Sequence, residues 1–298
     1  MPAAGVDSQM TLVRTVGEVR AIVAKWRAEG LSLALTPTMG ALHEGHLSLV
    51  RRAGSLADRT IASIFVNPSQ FAPHEDFSSY PRREAEDLAL LKAEGCDLVF
   101  APSAEEMYPE GFQTSVSVAS ISQGLCGASR PHFFGGVATV VCKLLNQVRP
   151  DFAVFGEKDY QQLLVIRRMV RDLDMPVEII GAPIVREEDG LAMSSRNAYL
   201  NADERRKAGA LNKVLAKMAE RLARGDDVGE TIHFARTALG DAGVASIDYL
   251  EVRNALTLES AGSGALTAPS RIFAAIFLGK TRLIDNWPVE PAWQHAPR

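Results

Sequence analysis

Hydrophobic residues follow two alternating patterns through the first two thirds of the chain. Largely apolar runs of strand length occupy residues 31–35, 61–66, 98–101, 152–155 and 177–180. Apolar residues at helical spacing precede the first run, from Val19 to Trp26, and lie between the later runs, from Leu47 to Val50 and within residues 84–94, 137–148 and 159–173. Unbroken apolar strands are typical of a sheet covered on both faces. The alternation predicts an α/β fold with a doubly wound, Rossmann-like parallel sheet.

The pattern changes after the serine-rich stretch at residues 193–196. Long amphipathic helices are predicted at residues 203–224 and 228–239, and strands at 249–252, 272–278 and 281–284. This order predicts a smaller C-terminal α+β domain. We place the boundary near residues 183–186, which divides the chain into domains at residues 1–184 and 185–298. A further strand is predicted at residues 114–118, inside a segment rich in Gly, Ser and Pro.

Composition limits the classes of partner. The chain has 298 residues, of which 47% are hydrophobic, and a formal net charge of −4, which disfavours a nucleic-acid surface and favours a small substrate. Its three cysteines, Cys96, Cys126 and Cys142, are far apart, so neither a disulfide framework nor a zinc knuckle is indicated. The amino-terminal stretch lacks an export signal, and no apolar run is long enough for a membrane helix. A cytoplasmic protein is expected.

The stretch at residues 33–46 has the pattern of a phosphate site. An apolar strand leads through Gly40 into a helix that carries His43 and His46 in its first turn. The first amides of a helix lack partners and carry partial positive charge, so they can bind phosphate, and the imidazoles add donors. The alternative is a pair of half-buried surface histidines. A zinc-protease motif, H-E-x-x-H, needs one more residue between the histidines.

Two other stretches suit a nucleotide. Gly156 allows close approach of the backbone, and Lys158 supplies a point charge, although a charged helix start explains both equally simply. Ser194, Ser195 and Arg196 offer two hydroxyls and a forked cation for pyrophosphate, or form a polar turn.

Four further side chains, two neutral and two acidic, are candidates for binding a substrate or a metal ion. Gln70 and Gln162 can orient a small polar substrate, or they are surface glutamines. Glu86 and Asp87 can hold Mg²⁺, or they form a solvated helix face. Ligands of a doubly wound sheet lie beyond the carboxyl ends of its strands, so we expect these stretches to meet in one crevice.

Taken together, four motifs resemble the pantoate–β-alanine ligase family of the nucleotidyltransferase superfamily. The motifs read PTMGALHEGH, FVNPSQF, FGEKDYQQL and DGLAMSSRN, and the similarity extends over about residues 15–288. The resemblance implies that ATP converts pantoate to pantoyl adenylate, and that β-alanine then displaces AMP to give pantothenate. It also implies Mg²⁺ and a homodimer. Separately, the junction at residues 183–196, which contains Gly190, leads us to expect that the C-terminal domain closes over the nucleotide as a lid. A simple nucleotidyltransferase and a nucleotide sensor remain alternatives.

The resemblance also implies residue roles. Pantoate would contact Gln70 and Gln162, with Gln70 also near β-alanine, and Asp87 would contact the metal. His46 is the family's proton donor. Because negative charge develops on the phosphate oxygens during adenylation, we interpret His46 as a transition-state donor that acts with His43, Lys158 and residues 194–196. The implied ATP contacts are Met39, Gly40, Ala41, Leu42, His43, Glu44, Gly45, His46, Gly156, Glu157, Lys158, Asp159, Val185, Met193, Ser194, Ser195 and Arg196.

One stretch departs from the family pattern. The family reads R-P-G-H-F-x-G-V, whereas residues 130–137 read RPHFFGGV. The histidine, His132, is displaced by one position toward the amino terminus, so no role of the family's histidine is carried over to it.

Overall fold

A computed structural model describes residues 10–72, 75 and 77–290. The chain divides into two compact units. Of the described residues, those up to 157 and those at 162–183 form the first unit, and those at 158–161 and from 184 onward form the second. Residues 158–161 therefore group with the second unit although they lie within the first in sequence. The amino-terminal stretch considered for an export signal lies outside the described residues.

The first unit alternates strands and helices. Its strands are β1 (Thr11–Val13), β2 (Leu33–Thr38), β3 (Arg59–Ile64), β4 (Leu98–Phe100), β5 (Phe152–Gly156) and β6 (Glu178–Ala182). The helices are α1 (Val16–Ala28), α2 (Glu44–Gly54), α3 (Glu84–Ala93), α4 (Ala104–Met107), α5 (Leu125–Ser129), α6 (Phe133–Val148) and α7 (Tyr160–Asp172). Short 3₁₀ helices occupy Pro68–Gln70 and Glu157–Asp159.

The six strands form one parallel sheet in the order β1-β4-β3-β2-β5-β6, which confirms the doubly wound fold. The chain moves one way across the sheet from β2 to β4 and the other way from β5 to β6. Because such crossovers are right-handed, α2 and α3 cover one face, and α6 and α7 cover the other. The carboxyl ends of β3, β2 and β5 are neighbours at one edge of this sheet.

Helix α2 is fixed to the sheet by two apolar clusters. Leu49 and Ala53 are buried in a cluster with Ala34 of β2 and Val154 of β5. Val50 is buried in a second cluster with residues of β3, α3 and β4. Burial of this kind stabilises by about 25 cal/mol for each Å² of apolar surface. The packing therefore fixes the position of the α2 amino terminus.

The second unit is the predicted α+β structure. It contains a 3₁₀ helix at Ser195–Tyr199, then α8 (Ala202–Ala208), α9 (Ala210–Ala223), α10 (Val228–Asp241), β7 (Ser246–Asn254), β8 (Ser270–Leu278) and β9 (Thr281–Val289). The strands form an antiparallel sheet in the order β7-β8-β9. One cluster joins this sheet to α9 and α10 and includes Leu211, Leu215, Leu239, Ile272 and Ile276.

Two predicted elements are wrong. Residues 114–118 alternate polar and apolar side chains but pair with no strand among the described residues, and the Val116 N–H donates to Thr139 Oγ1 at 2.9 Å. The single helix at 203–224 is two helices, interrupted at Gly209. A Cβ on Gly209 would lie 2.8 Å from Asp189 Oδ2, so glycine allows this close approach, and glycine also weakens a helix.

Other elements differ in extent. Strand β1 was not predicted, because it is short and lies at the edge of the sheet. β2 continues through Pro37, which lies opposite Ser63, and α6 begins four residues earlier than expected, before the two glycines that obscured its start. Among the described residues, no helix has both the length and the apolar character to span a bilayer.

Candidate functional site

Three of the predicted stretches follow adjacent strands of the first unit. Residues 39–46 follow β2, residues 65–71 follow β3, and Gly156 ends β5. Since β3 and β5 flank β2, the histidine turn, the Gln70 turn and Gly156 lie at neighbouring carboxyl ends. This is the edge at which a doubly wound sheet binds its ligands.

Asp87 holds the turn that leads to the histidines. Its carboxylate accepts hydrogen bonds from the N–H groups of Ala41 at 2.9 Å and Leu42 at 2.8 Å. The turn is left-handed at Gly40 (φ 79°) and Ala41 (φ 49°), and a Cβ on Gly40 would lie 2.9 Å from Asp87 Oδ2. Burial raises the pKa of the Asp87 carboxyl, against the opposing effect of the two amides. A buried carboxylate on α3 thus shapes the turn.

The residues near Asp87 do not fit the predicted Mg²⁺ site. Mg²⁺ keeps several waters and binds accessible carboxylates, whereas Asp87 is 2% exposed and both its oxygens accept from amides. The neighbouring Glu86 points to solvent beside Arg83, at 3.5 Å. Within the described ranges, no group of three or more His, Cys, Asp or Glu could hold a metal ion.

The two histidines bond to the backbone at the start of α2. His43 is the N-cap, and its Nδ1 accepts from the Gly45 N–H at 3.2 Å. His46 Nδ1 accepts from the His43 N–H at 3.4 Å, and the ring centroids are 4.1 Å apart. A neutral imidazole carries one proton, so acceptance at Nδ1 places that proton on Nε2. In the neutral form, both rings thus present an Nε2–H donor beside the positive end of a helix.

Glu44, which lies between the two histidines in sequence, points its side chain along α2. The Glu44 carboxylate forms an ion pair with Arg51, seven residues along α2, and Arg51 also bonds Glu94 at 2.7 Å. The Glu44 side chain is therefore paired along the helix. Any contact of Glu44 with phosphate is left to its main chain.

The Gln70 turn is organised by Asn67, which is 1% exposed. Asn67 Nδ2 donates to Gln70 Oε1 at 2.9 Å and to the Gly136 carbonyl at 3.2 Å. Its Oδ1 accepts from the Tyr108 hydroxyl at 2.8 Å. Because Asn67 holds the oxygen of the Gln70 carboxamide, the amide nitrogen is directed away from Asn67.

A half-buried ion pair supports the same turn. Arg130 donates to the Gln70 carbonyl at 2.9 Å and pairs with Glu75 through two nitrogens, one of them at 2.7 Å. Its guanidinium carbon lies 3.9 Å from the centroid of the Phe133 ring. The displaced His132 is exposed at the start of α6. The altered stretch thus presents a phenylalanine to Arg130.

In the second unit, strands β8 and β9 contact residues 158–161, which we call the Lys158 segment. The Lys158 carbonyl accepts from Asn286 Nδ2 at 2.9 Å, and its ammonium lies 4.0 Å from Asp159 Oδ2. The guanidinium carbon of Arg271 lies 3.7 Å from the centroid of the Tyr160 ring. These contacts explain why residues 158–161 group with the C-terminal strands.

Residues 194–196, the serine turn, follow a short hairpin at residues 185–193 in the same unit. The hairpin is closed by the Met193 N–H, which donates to the Val185 carbonyl at 3.0 Å. Ser194 caps the following 3₁₀ helix, since its Oγ accepts from the Arg196 N–H at 3.3 Å. Asn197 Nδ2 then donates back to Glu187 Oε1 at 2.7 Å. Val185, Met193 and residues 194–196 are therefore parts of one hydrogen-bonded structure.

Ion pairs anchor that hairpin. Arg186 bonds Asp285 of β9 through two nitrogens at 2.7 and 3.0 Å, and the Asp285 side chain is 1% exposed. Arg205 of α8 pairs with both Glu187 and Asp189, and its hydrogen bond lowers the pKa of the Asp189 carboxyl.

Sequence reasoning missed Asn67, Arg130, Arg271, Asp285 and Asn286. Asn67 had a local signal, because an asparagine before proline favours the cap of a short helix. The others contact partners that are distant in sequence, so no local pattern marks them. The predicted ATP contacts divide between the units, with residues 39–46, 156 and 157 in the first and residues 158, 159, 185 and 193–196 in the second. Gln70 and Gln162 both belong to the first unit.

Comparisons with known proteins agree with one another. The model of the family described as pantoate-beta-alanine ligase matches residues 11–288. A pantothenate synthetase of Paramagnetospirillum magneticum is 58% identical over 280 residues, covering 94% of this chain and 98% of that protein. The crystal structure of pantothenate synthetase from Thermus thermophilus has a TM-score of 0.89 and 47% identity, covering 95% of this chain and 100% of that one. A Francisella tularensis pantoate-beta-alanine ligase structure has a TM-score of 0.79 and 32% identity, covering 94% of this chain and 98% of that one.

Proposed function

The chain belongs to the pantoate-beta-alanine ligase family, and from that premise we propose that it forms pantothenate by activating pantoate with ATP as a pantoyl adenylate. The observation that carries the ATP step is the pair of imidazoles, His43 and His46, held through Nδ1 by main-chain N–H groups at the amino terminus of α2. The Francisella tularensis relative was solved in complex with Beta-gamma ATP and Beta-alanine, which supports ATP as the activating substrate.

In the first step, a carboxylate oxygen of pantoate attacks the α-phosphorus of ATP. The bond from that phosphorus to the bridging oxygen breaks, and pyrophosphate leaves with the electron pair. Negative charge grows on the phosphate oxygens during this step. Donors that are already in place stabilise such charge without reorganisation, and in this proposal His43 and His46, beside the positive end of α2, are those donors.

The second unit supplies further donors in this proposal. Lys158 contributes a point charge, and Ser194, Ser195 and Arg196 contribute two hydroxyls and a forked guanidinium suited to pyrophosphate. Gln70 and Gln162 bind pantoate as neutral hydrogen-bonding groups. The defined orientation of the Gln70 carboxamide beside Asn67 supports this assignment.

In the second step, the amine of β-alanine attacks the carbonyl carbon of the adenylate. The bond from that carbon to the phosphate oxygen breaks, the amine loses a proton, and AMP leaves with one oxygen that came from the pantoate carboxylate. No covalent intermediate with the protein is needed. Water at the same carbon would hydrolyse the adenylate, so the site must exclude it.

Exchange of labelled pyrophosphate into ATP tests the first step. We expect exchange that requires pantoate and proceeds without β-alanine, followed by release of free AMP when β-alanine is added. A simple nucleotidyltransferase would keep AMP on its product after that addition, and a nucleotide sensor would bind ATP without releasing pyrophosphate. Either result would overturn the ligase mechanism.

Two further properties belong to the same proposal: the homodimer is implied by the resemblance, and the cytoplasmic location is expected from the sparse cysteines. We infer a homodimer in the cytoplasm. Light scattering from the purified chain at several concentrations tests the dimer, and a mass of one chain throughout would exclude it. Imaging of the tagged chain in its own cells tests the location.

A further inference from the structure

A buried polar contact joins the Lys158 segment to strand β9. Asn286 is 2% exposed, and its Nδ2 donates to the Lys158 carbonyl at 2.9 Å. Its Oδ1 accepts a hydrogen bond from Nη1 of Arg271, which is itself only 7% exposed. The two ends of the Asn286 carboxamide are thus bonded to different partners, so the side chain has one defined orientation.

A second contact restrains the same segment. The guanidinium carbon of Arg271 lies 3.7 Å from the centroid of the Tyr160 ring, within cation–π distance. The ring of Phe273 lies 6.1 Å from that of Tyr160. Tyr160 is two residues beyond Lys158 and begins α7. The strands therefore contact this segment at its main chain and at a side chain.

The strand register makes both contacts possible. Phe273 lies opposite Asn286, and Arg271 lies opposite Pro288. Arg271 and Phe273 are two apart on β8, so their side chains share a face of the sheet with Asn286. A buried amide or guanidinium is costly unless its hydrogen bonds are made. This pairing satisfies such groups and directs them at residues 158–161.

We propose that Asn286, oriented by Arg271, is a positioning residue for Lys158. The proposal rests on the proposed function, in which the Lys158 ammonium stabilises charge during adenylation. Asn286 bonds to the main chain of Lys158 and acts through it. A small displacement of a donor from its working position lowers the rate strongly, whereas binding of pantoate by other residues is unaffected.

The variant Asn286→Asp tests this role. Aspartate keeps the size of the side chain and an oxygen facing Arg271, but it replaces the N–H donor with an acceptor against the Lys158 carbonyl. We expect kcat for pantoate-dependent pyrophosphate exchange to fall about tenfold, the scale of one lost hydrogen bond, while KM for pantoate changes less than about twofold. The control is Arg282→Gln, on the same strand as Asn286, which breaks a half-buried pair with Asp248 of β7 rather than the bond to the Lys158 carbonyl.

A double-mutant cycle separates positioning from general damage. If Asn286 acts only through Lys158, Asn286→Asp slows the Lys158→Ala enzyme by less than about twofold, because the group it positions is gone. An equal, roughly tenfold, loss in both backgrounds overturns the proposal. So does unchanged kcat in a folded Asn286→Asp variant, or an equal loss in Arg282→Gln.

The design distinguishes two kinds of failure. Wild-type exchange by Lys158→Ala alone would remove Lys158 from the proposed function, and the positioning role with it. A slow Lys158→Ala enzyme with additive losses would overturn the positioning role and leave the proposed function intact. If Asn286→Asp does not fold, Arg271→Lys replaces it in the same cycle, since lysine keeps the charge without the fork that both bonds Asn286 and covers Tyr160. A loss below about twofold in the Lys158→Ala background then supports the positioning role, and an equal loss in both backgrounds overturns it.

Discussion

The histidine turn of the first unit and the Lys158 segment of the second are held in different ways. The helix start that carries the histidines is fixed by bonds close in sequence, with the imidazoles capping their own helix, and only the left-handed residues before it are held by the distant Asp87. The Lys158 segment is fixed by buried side chains on strands more than a hundred residues later. A local structure can be predicted from its own residues, whereas one held at long range cannot.

The largest expected effects test whether both regions act in adenylation. We expect His46→Ala and Lys158→Ala each to lower pantoate-dependent pyrophosphate exchange by about two to three powers of ten, the scale of losing one preorganised donor. Steady-state exchange of the purified variants measures this. Near-normal exchange in either variant removes that residue from the first step.

The assigned tautomer of His46 sharpens the first of these tests. The amide nitrogen of glutamine reaches about as far as Nε2, and that of asparagine about as far as Nδ1. We therefore expect His46→Gln to retain more exchange activity than His46→Asn. The reverse order would contradict donation from Nε2.

A pair of adjacent glycines tests how tightly the Gln70 turn is packed. A Cβ on Gly136 would lie 2.3 Å from the Ser69 carbonyl oxygen, whereas a Cβ on Gly135 would meet nothing within 4 Å. We expect Gly136→Ala to raise KM for pantoate at least about tenfold by displacing the turn, and Gly135→Ala to change it little. Equal kinetics in the two variants would show that the turn does not position the substrate.

Arg130 offers an intermediate effect in the same turn. We expect Arg130→Gln to raise KM for pantoate about tenfold, because its charged hydrogen bonds to Glu75 and the Gln70 carbonyl are lost. Arg130→Lys should restore part of the loss. Arg168→Gln, which breaks an exposed pair on α7, is the control and should leave KM unchanged. A similar rise in that control would contradict a specific role for Arg130.

The smallest effect concerns Asp87. Burial raises the pKa of its carboxyl, so just above the ordinary value of about 4 the folded state holds a proton that the unfolded state releases. The unfolding free energy of the wild type, relative to Asp87→Asn, should therefore fall as pH rises from about 4 toward 7. Urea unfolding at several pH values measures it. A difference that rises with pH would contradict this direction.

The same variant also tests the turn. Asparagine has one acceptor for two amides, so we expect Asp87→Asn to raise KM for ATP about threefold. Unchanged KM would show that the bonds to Ala41 and Leu42 do not matter for nucleotide binding.

Much of the first unit could be predicted because its signals are local. Continuous apolar runs marked β2, β3 and β5, and Thr15 with Glu18 marked the capping box that begins α1. The false strand at residues 114–118 shows the limit, since alternation does not specify a pairing partner. The helix predicted at 203–224 was broken by Gly209, whose close contact is with Asp189 in another part of the chain.

The residues of the candidate site also differ in whether a local sequence pattern could identify them. His43, His46, Gln70 and Lys158 could be selected from short motifs. The residues that hold them could not, because Asp87, Arg130 and Asn286 act on turns far away in sequence. Asp87 was predicted as a metal contact from its charge and helix position. Its burial, and the hydrogen bonds that it accepts from two main-chain N–H groups, indicate instead that it shapes the turn before α2.

Transfer of ¹⁸O from the pantoate carboxylate tests the central claim most directly. If pantoate is activated as an adenylate, one ¹⁸O per turnover appears in the AMP released after β-alanine is added, because that oxygen bridges carbon and phosphorus in the intermediate. The account predicts this label in AMP together with unlabelled pyrophosphate. Unlabelled AMP, or label in inorganic phosphate formed together with ADP, would contradict it.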